Sequence, residues 1–370
     1  MIRHVLLAMA VLAMAVAFVG DGNAGAQGAE VRVVVSLPDM EPVVRDVGGR
    51  HVEVSSILPP GSDPHGFTVT QEVMADIADA DILVLANSDL LGFEGDVVEN
   101  FPDIERLDFP DYEAEGATLD PFPGYDRNEH GYWLKIDNAR AIARGFAAAI
   151  SRIDPDNADE YAHNLDAFSG RLDRASDDLD LLSDHHGLRG KKVVAAVPGV
   201  AYIVQNMRMD VGAILLAEGS GFVGGSAVLD VQKGLSSGEY IAIVCPESMR
   251  EARAGEVSEQ LSRDTGAPVI YVRFLSVEDS DDFLSQVYYN AGQLALASRA
   301  GGSSGAVDMS LAYAALGAMG ALVFAEAFVI VRCRGAGSGE ADQHLFGGDG
   351  RITASRGQVP GRVGSDGTSR

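Results

Sequence analysis

Apolar and polar positions alternate in regular waves over most of the chain. The β-branched run over residues 31–37 predicts a buried strand, and residues 40–48 read as a helix closed by Gly48-Gly49. A second strand is predicted over 52–58 and a helix over 71–80. Residues 81–86, Asp-Ile-Leu-Val-Leu-Ala, form a continuous apolar run of the kind found inside parallel sheets. Residues 101–128 are crowded with Asp103, Glu105, Asp108, Asp111, Glu113, Glu115 and Asp120 and read as one long acidic loop. A helix over 136–153 follows. The next one runs from Asn157 to about Ser183, with Tyr161, Leu165, Phe168, Leu172, Leu179 and Leu182 at near-heptad spacing. At about seven turns it is long enough to join two lobes as a stiff strut. Strands over 192–197, 241–245 and 269–272, with helices over 201–207, 249–265 and 281–297, then make a second alternating unit. The predicted fold is α/β: two α/β lobes joined by a long bridging helix, with a cleft between them.

Both ends depart from this pattern. Residues 1–26 read as an export signal, with Arg3 and His4, an apolar run from Val5 to Val19, and Ala24-Gly25-Ala26 as a small-residue cleavage site. Residues 309–331 are apolar for about 23 positions, long enough for a C-terminal transmembrane helix. Arg332 and Arg334 follow at once, so the positive-inside rule puts the tail in the cytoplasm and the lobes outside, a single-pass protein of the cell membrane. The expected organisation is a signal peptide (1–26), an N-terminal lobe (31–153), the bridging helix (154–187), a C-terminal lobe (188–299), a Gly/Ser linker (300–308), the membrane helix (309–331) and a disordered tail (332–370).

Charge and cysteine content narrow the chemistry. A net charge of -26 on 370 residues leaves no basic cluster to neutralise phosphates, which excludes nucleic acid as a partner. Such a surface either keeps the protein soluble or gathers cations. Cys245 and Cys333 are the only cysteines, so any metal site is built from His, Asp and Glu. No phosphate-cradling Gly-x-x-x-x-Gly-Lys and no His-Glu-x-x-His is present, and the chain is not read as an enzyme. Two histidines stand out. His65 sits at the tip of Leu58-Pro59-Pro60-Gly61-Ser62-Asp63-Pro64-His65-Gly66-Phe67, a loop stiffened by three prolines after the second strand. His130 follows a polar loop and opens the aromatic run Gly131-Tyr132-Trp133-Leu134. In α/β units, ligands collect in loops at the carboxyl ends of strands, which is where His65 lies.

The His65 loop and the His130 motif, together with Gly48-Gly49, His51-Val52, the run from Ala78 to Val84, Gly92-Phe93-Glu94, and Asp154-Pro155 with Tyr161 and Asn164, resemble the metal-binding family of ABC-importer solute-binding proteins, the zinc and manganese receptors. The resemblance covers most of residues 31–299 and is strongest in the first lobe. It implies that His65 and His130 are metal ligands, that Zn²⁺ or Mn²⁺ is the transported ligand, and that an ABC permease and ATPase are partners. Relatives supply a third ligand after the first strand of the second lobe and a carboxylate after a later strand. Here those places hold Val197 and Arg273. Glu129, Glu247, Glu278 or Asp279 would then complete the shell, or Arg273 would hold an anion. Three other readings stay open: the same fold binding an anion or an anionic metal complex, a two-histidine metallohydrolase with Glu129 as base, and a diverged structural or adhesive ectodomain.

Overall fold

Four valines around one arginine make Val31–Val35 (β1) the strand on which the first sheet is built. It belongs to a computed structural model that describes residues 30–216, 225–274 and 282–300. After β1 come α1 (Glu41–Gly48), β2 (Val52–Ser56), α2 (Gln71–Ala78), β3 (Ile82–Val84), α3 (Gly92–Asn100), β4 (Glu105–Leu107) and α4 (Phe109–Ala114). The long helices α5 (Ile136–Ile153) and α6 (Ala158–His186) lead into the second lobe. That lobe holds β5 (Lys192–Ala195), α7 (Val200–Asn206), β6 (Asp210–Ile214), α8 (Gly225–Ser237), β7 (Tyr240–Pro246), α9 (Arg253–Thr265), β8 (Val269–Val272) and α10 (Phe283–Ala300).

The two sheets share one topology. The order is β2-β1-β3-β4 in the first and β6-β5-β7-β8 in the second, and every pairing is parallel. In each, the chain leaves its first strand to one side and then crosses to the other, so a crevice opens beyond the carboxyl ends beside β1 and β5. Strands covered on both faces have no polar side to show. Ile82, Leu83 and Val84 of β3 and Val193, Val194 and Ala195 of β5 are accordingly all buried.

Helix α6 buries one stripe: Tyr161, Phe168, Leu172, Ala175, Leu179 and Ser183, a three- and four-residue rhythm. It packs against α1, α5 and α10. Gly187, at φ +61°, ends it by donating to the Asp184 carbonyl while Leu188 donates to that of Ser183, a Schellman closure only a left-handed residue permits.

Several elements differ from the sequence expectation. Residues 101–128 are not one loop. They contain β4 and α4, and the acidic residues there act locally: Asp108 and Asp111 form a reciprocal capping box at the start of α4, and Glu105 pairs with Arg152. The edge strand β6 and helix α8 also went unrecognised. Gly212 breaks the apolar rhythm of β6 because the Tyr240 ring lies where its Cβ would be, 2.2 Å away. The export signal over 1–26, the residues from 301 onward and the helix expected over 309–331 lie outside the described residues. Among the described residues, no helix is long and apolar enough to cross a membrane.

Candidate metal centre

The loop from β2 to α2 is stiff for local reasons. Gly61 turns at φ +74°, the Ser62 amide donates to the Pro59 carbonyl, and the His65 amide donates to Asp63 Oδ1 at 3.0 Å. Phe67 anchors the far side, edge-on to Phe93 at 5.4 Å. His65 is exposed at the tip.

His130 is carried by buried aromatics. Tyr132 donates to the Ala86 carbonyl at 2.6 Å and stands edge-on to Phe109 and Trp133. Its anchor belongs to a strand end held from below by Glu94. That carboxylate is fully buried and accepts the Ala86 amide at 3.0 Å and the Asn87 amide at 2.8 Å. Burial pushes its pKa up to about 7, against the pull of Ser36 and of the two amides. Directly before His130, buried Asn128 accepts the His130 amide on Oδ1 at 3.1 Å, and His130 Nδ1 lies 3.3 Å from the same oxygen.

These two loops bring the histidines together. The ring centroids of His65 and His130 are 5.5 Å apart at an interplanar angle of 42°. Two imidazoles sharing one tetrahedral ion, each with a metal–nitrogen distance of about 2.0–2.1 Å, have centroids about 5 Å apart, so the pair is already spaced for one ion. Tyr125 closes one side, edge-on to His130 at 5.9 Å.

The second lobe meets this loop through the turn between β5 and α7. Asn128 Nδ2 donates to the Pro198 carbonyl at 2.9 Å, and the Tyr202 hydroxyl donates to the Asn128 carbonyl at 2.6 Å while accepting the Asp120 amide. Contact is tight enough to require glycine twice. A Cβ at Gly131 would lie 2.7 Å from the Gly199 carbonyl oxygen and 2.9 Å from Phe274 Cε2, and one at Gly199 would lie 2.2 Å from Phe274 Cε2. Val197, in this turn, is apolar and offers no ligand.

The other sequence candidates are placed differently. Glu129 is half-buried between Asn128 and His130 in the chain. Glu247, at the carboxyl end of β7, accepts the Tyr289 hydroxyl and lies 3.9 Å from Arg273 Nε, while the Arg273 guanidinium stacks 4.3 Å from the centre of the Tyr289 ring. Its charge is answered within its own lobe. Glu278 and Asp279 lie outside the described residues. Among the described residues, no three His, Cys, Asp or Glu side chains gather closely enough to hold an ion. Asn128, Tyr202 and Phe274 are supporting residues to which sequence reasoning gave no role, and Glu94 was singled out only as part of the Gly92-Phe93-Glu94 motif, without a role.

Two parallel α/β lobes on one strut, with paired histidines over the crevice between them, define a two-lobed ligand-binding protein. The chain belongs to the family described as zinc-uptake complex component A, periplasmic, which matches residues 33–297. It is 27% identical over 156 residues to the manganese ABC transporter substrate-binding lipoprotein PsaA of Streptococcus mitis, covering 40% of this chain and 49% of that protein. It is 26% identical over 174 residues to the manganese ABC transporter substrate-binding lipoprotein scaA of Streptococcus gordonii, covering 44% and 55%. The chain thus spans about half the length of the curated relatives it matches. In fold, it is similar to a crystal structure of ZnuA at TM-score 0.61 and 22% identity, covering 73% of this chain and 99% of that one. It is also similar to FpvC from Pseudomonas aeruginosa in complex with Mn²⁺, at TM-score 0.62 and 18% identity, covering 74% and 100%.

These relatives correct the expected location. They are named lipoproteins, so the single-pass arrangement with a transmembrane helix and a cytoplasmic tail is withdrawn, and the adhesive reading finds no support. Hydropathy measures only length and apolarity.

Proposed function

We propose that the chain is an extracytoplasmic receptor that captures a divalent transition metal, zinc or manganese, as cargo for the permease and ATPase of an ABC importer. The observation that carries this reading is the His65–His130 pair, 5.5 Å between ring centres at the carboxyl-end crevice of the first lobe. The names of the relatives, manganese ABC transporter substrate-binding lipoproteins, support the same cargo class. Neutral imidazoles supply two positions, and hard oxygen ligands suit the remainder for either ion. Of the described candidates, Glu129 adjoins His130 in the chain and is half-buried, whereas the carboxylate of Glu247 is engaged by Tyr289 and faces Arg273. Arg273, the cation expected to hold an anionic cargo, faces the Glu247 carboxylate at 3.9 Å, which weighs against that reading.

Elemental analysis of the purified protein tests the proposal. Protein from cells grown with zinc or manganese is expected to carry one ion per chain, and a His65→Ala/His130→Ala double variant none. Equal metal content in both would contradict it.

A further inference from the structure

We propose that Asn128 is a positioning residue that fixes the proton of the His130 imidazole and, through the same amide, ties that histidine to the second lobe. This role rests on the reading of His130 as a metal ligand and prepares that ligand for its ion. Every hydrogen-bonding group of Asn128 is used. Its amide donates to the Asp120 carbonyl, its carbonyl accepts the Tyr202 hydroxyl, Nδ2 donates to the Pro198 carbonyl, and Oδ1 faces the His130 amide and Nδ1.

The orientation of the side-chain amide is determined by these partners. The Pro198 carbonyl can only accept, so it faces the NH₂ group, and the His130 backbone N–H can only donate, so it faces Oδ1. Oδ1, an acceptor, then requires that His130 Nδ1 carry its proton. A neutral imidazole protonated on Nδ1 has its lone pair on Nε2, the nitrogen that then binds a metal. Burial makes the choice firm, because Asn128 is 0% exposed and no water replaces a lost partner.

The second consequence is a link between lobes. Pro198 adjoins Val197, which stands where the family resemblance expects a third ligand, and it precedes Gly199, on which Phe274 rests. One amide therefore sets both the tautomer of a first-lobe ligand and the distance to the turn opposite it. An aspartate here keeps the acceptor and loses the donor, whereas a leucine loses both.

The test is ¹⁵N-histidine NMR on the full metal-free protein, with His130 assigned by the signal lost in His130→Ala, followed by Zn²⁺ titration of wild type, Asn128→Asp and Asn128→Leu. Wild type is expected to show His130 in the Nδ1–H form. Asn128→Asp should keep that form, and Asn128→Leu should move toward Nε2–H with Zn²⁺ affinity about 10- to 100-fold weaker. An Nε2–H His130 in the wild type, which needs no variant to observe, would overturn the proposal while leaving the receptor reading intact. An Nδ1–H signal unmoved by saturating Zn²⁺ would instead overturn His130 as a ligand.

Discussion

Single side chains do two distinct jobs around the crevice: His65 and His130 are displayed there as a pair, and others hold them in place. Glu94 is of the second kind, and it gives the protein a measurable pH signature. Its pKa rises from 4.5 to about 7 because burial opposes its charge. The native state therefore keeps a proton that the unfolded chain has already released, so stability falls as pH rises through this window and levels off above about pH 7. The full drop is roughly 3 kcal/mol. Urea unfolding between pH 5 and 8 should show that slope in wild type and a flattened one in Glu94→Gln. An equal slope in both would assign the effect to another group. At this scale the histidines were legible in the sequence, because prolines around His65 and aromatics after His130 mark rigid display. Asn128 was not, because its partner Pro198 lies 70 residues away and only the tertiary fold brings them together.

Among the elements, the turn between β5 and α7 and the segment after β8 are where one contact decides fit. Gly199 has an ordinary helical φ of -63°, so among the described residues the obstacle to alanine there is the Phe274 ring. Gly131 has φ +71° and meets the Gly199 backbone as well as Phe274. Phe274→Ala should therefore rescue Gly199→Ala, with a coupling of about 1 kcal/mol or more in a double-mutant cycle, and should fail to rescue Gly131→Ala. Rescue of both, or of neither, in chemical unfolding would show that the contact is not set by that ring. In α6, truncating fully buried Leu172 to alanine should cost about 2–5 kcal/mol. The elements most readable in advance were those whose pattern is unmixed: the apolar strands β1, β3 and β7, and α5 with its helical rhythm. β4 and α4 were hidden because capping aspartates look like loop residues until their partners are known. β6 was hidden because an edge strand with a glycine under a tyrosine ring has little apolar run to show.

For the whole molecule, the two sheets share one strand order, and the seam between the lobes is hydrogen-bonded through Asn128, Tyr202 and Asn206. With α6 as a strut of about 44 Å at 1.5 Å per residue, large rotation between lobes has little freedom. Small-angle scattering with and without Zn²⁺ should show no resolvable change in radius of gyration, and a marked contraction on adding metal would contradict the strut. The two-lobed class was legible from the alternation of strands and helices along the chain. Membrane attachment was misread from hydropathy, which does not report how a protein is tethered. The central claim is that His65 and His130 capture one divalent metal. It is tested most directly by calorimetric titration of Zn²⁺ and Mn²⁺ into the demetallated protein, beside the His65→Ala/His130→Ala variant. The account predicts one-to-one submicromolar binding that weakens at least about 100-fold in the variant; binding that is absent, or indifferent to both histidines, would contradict it.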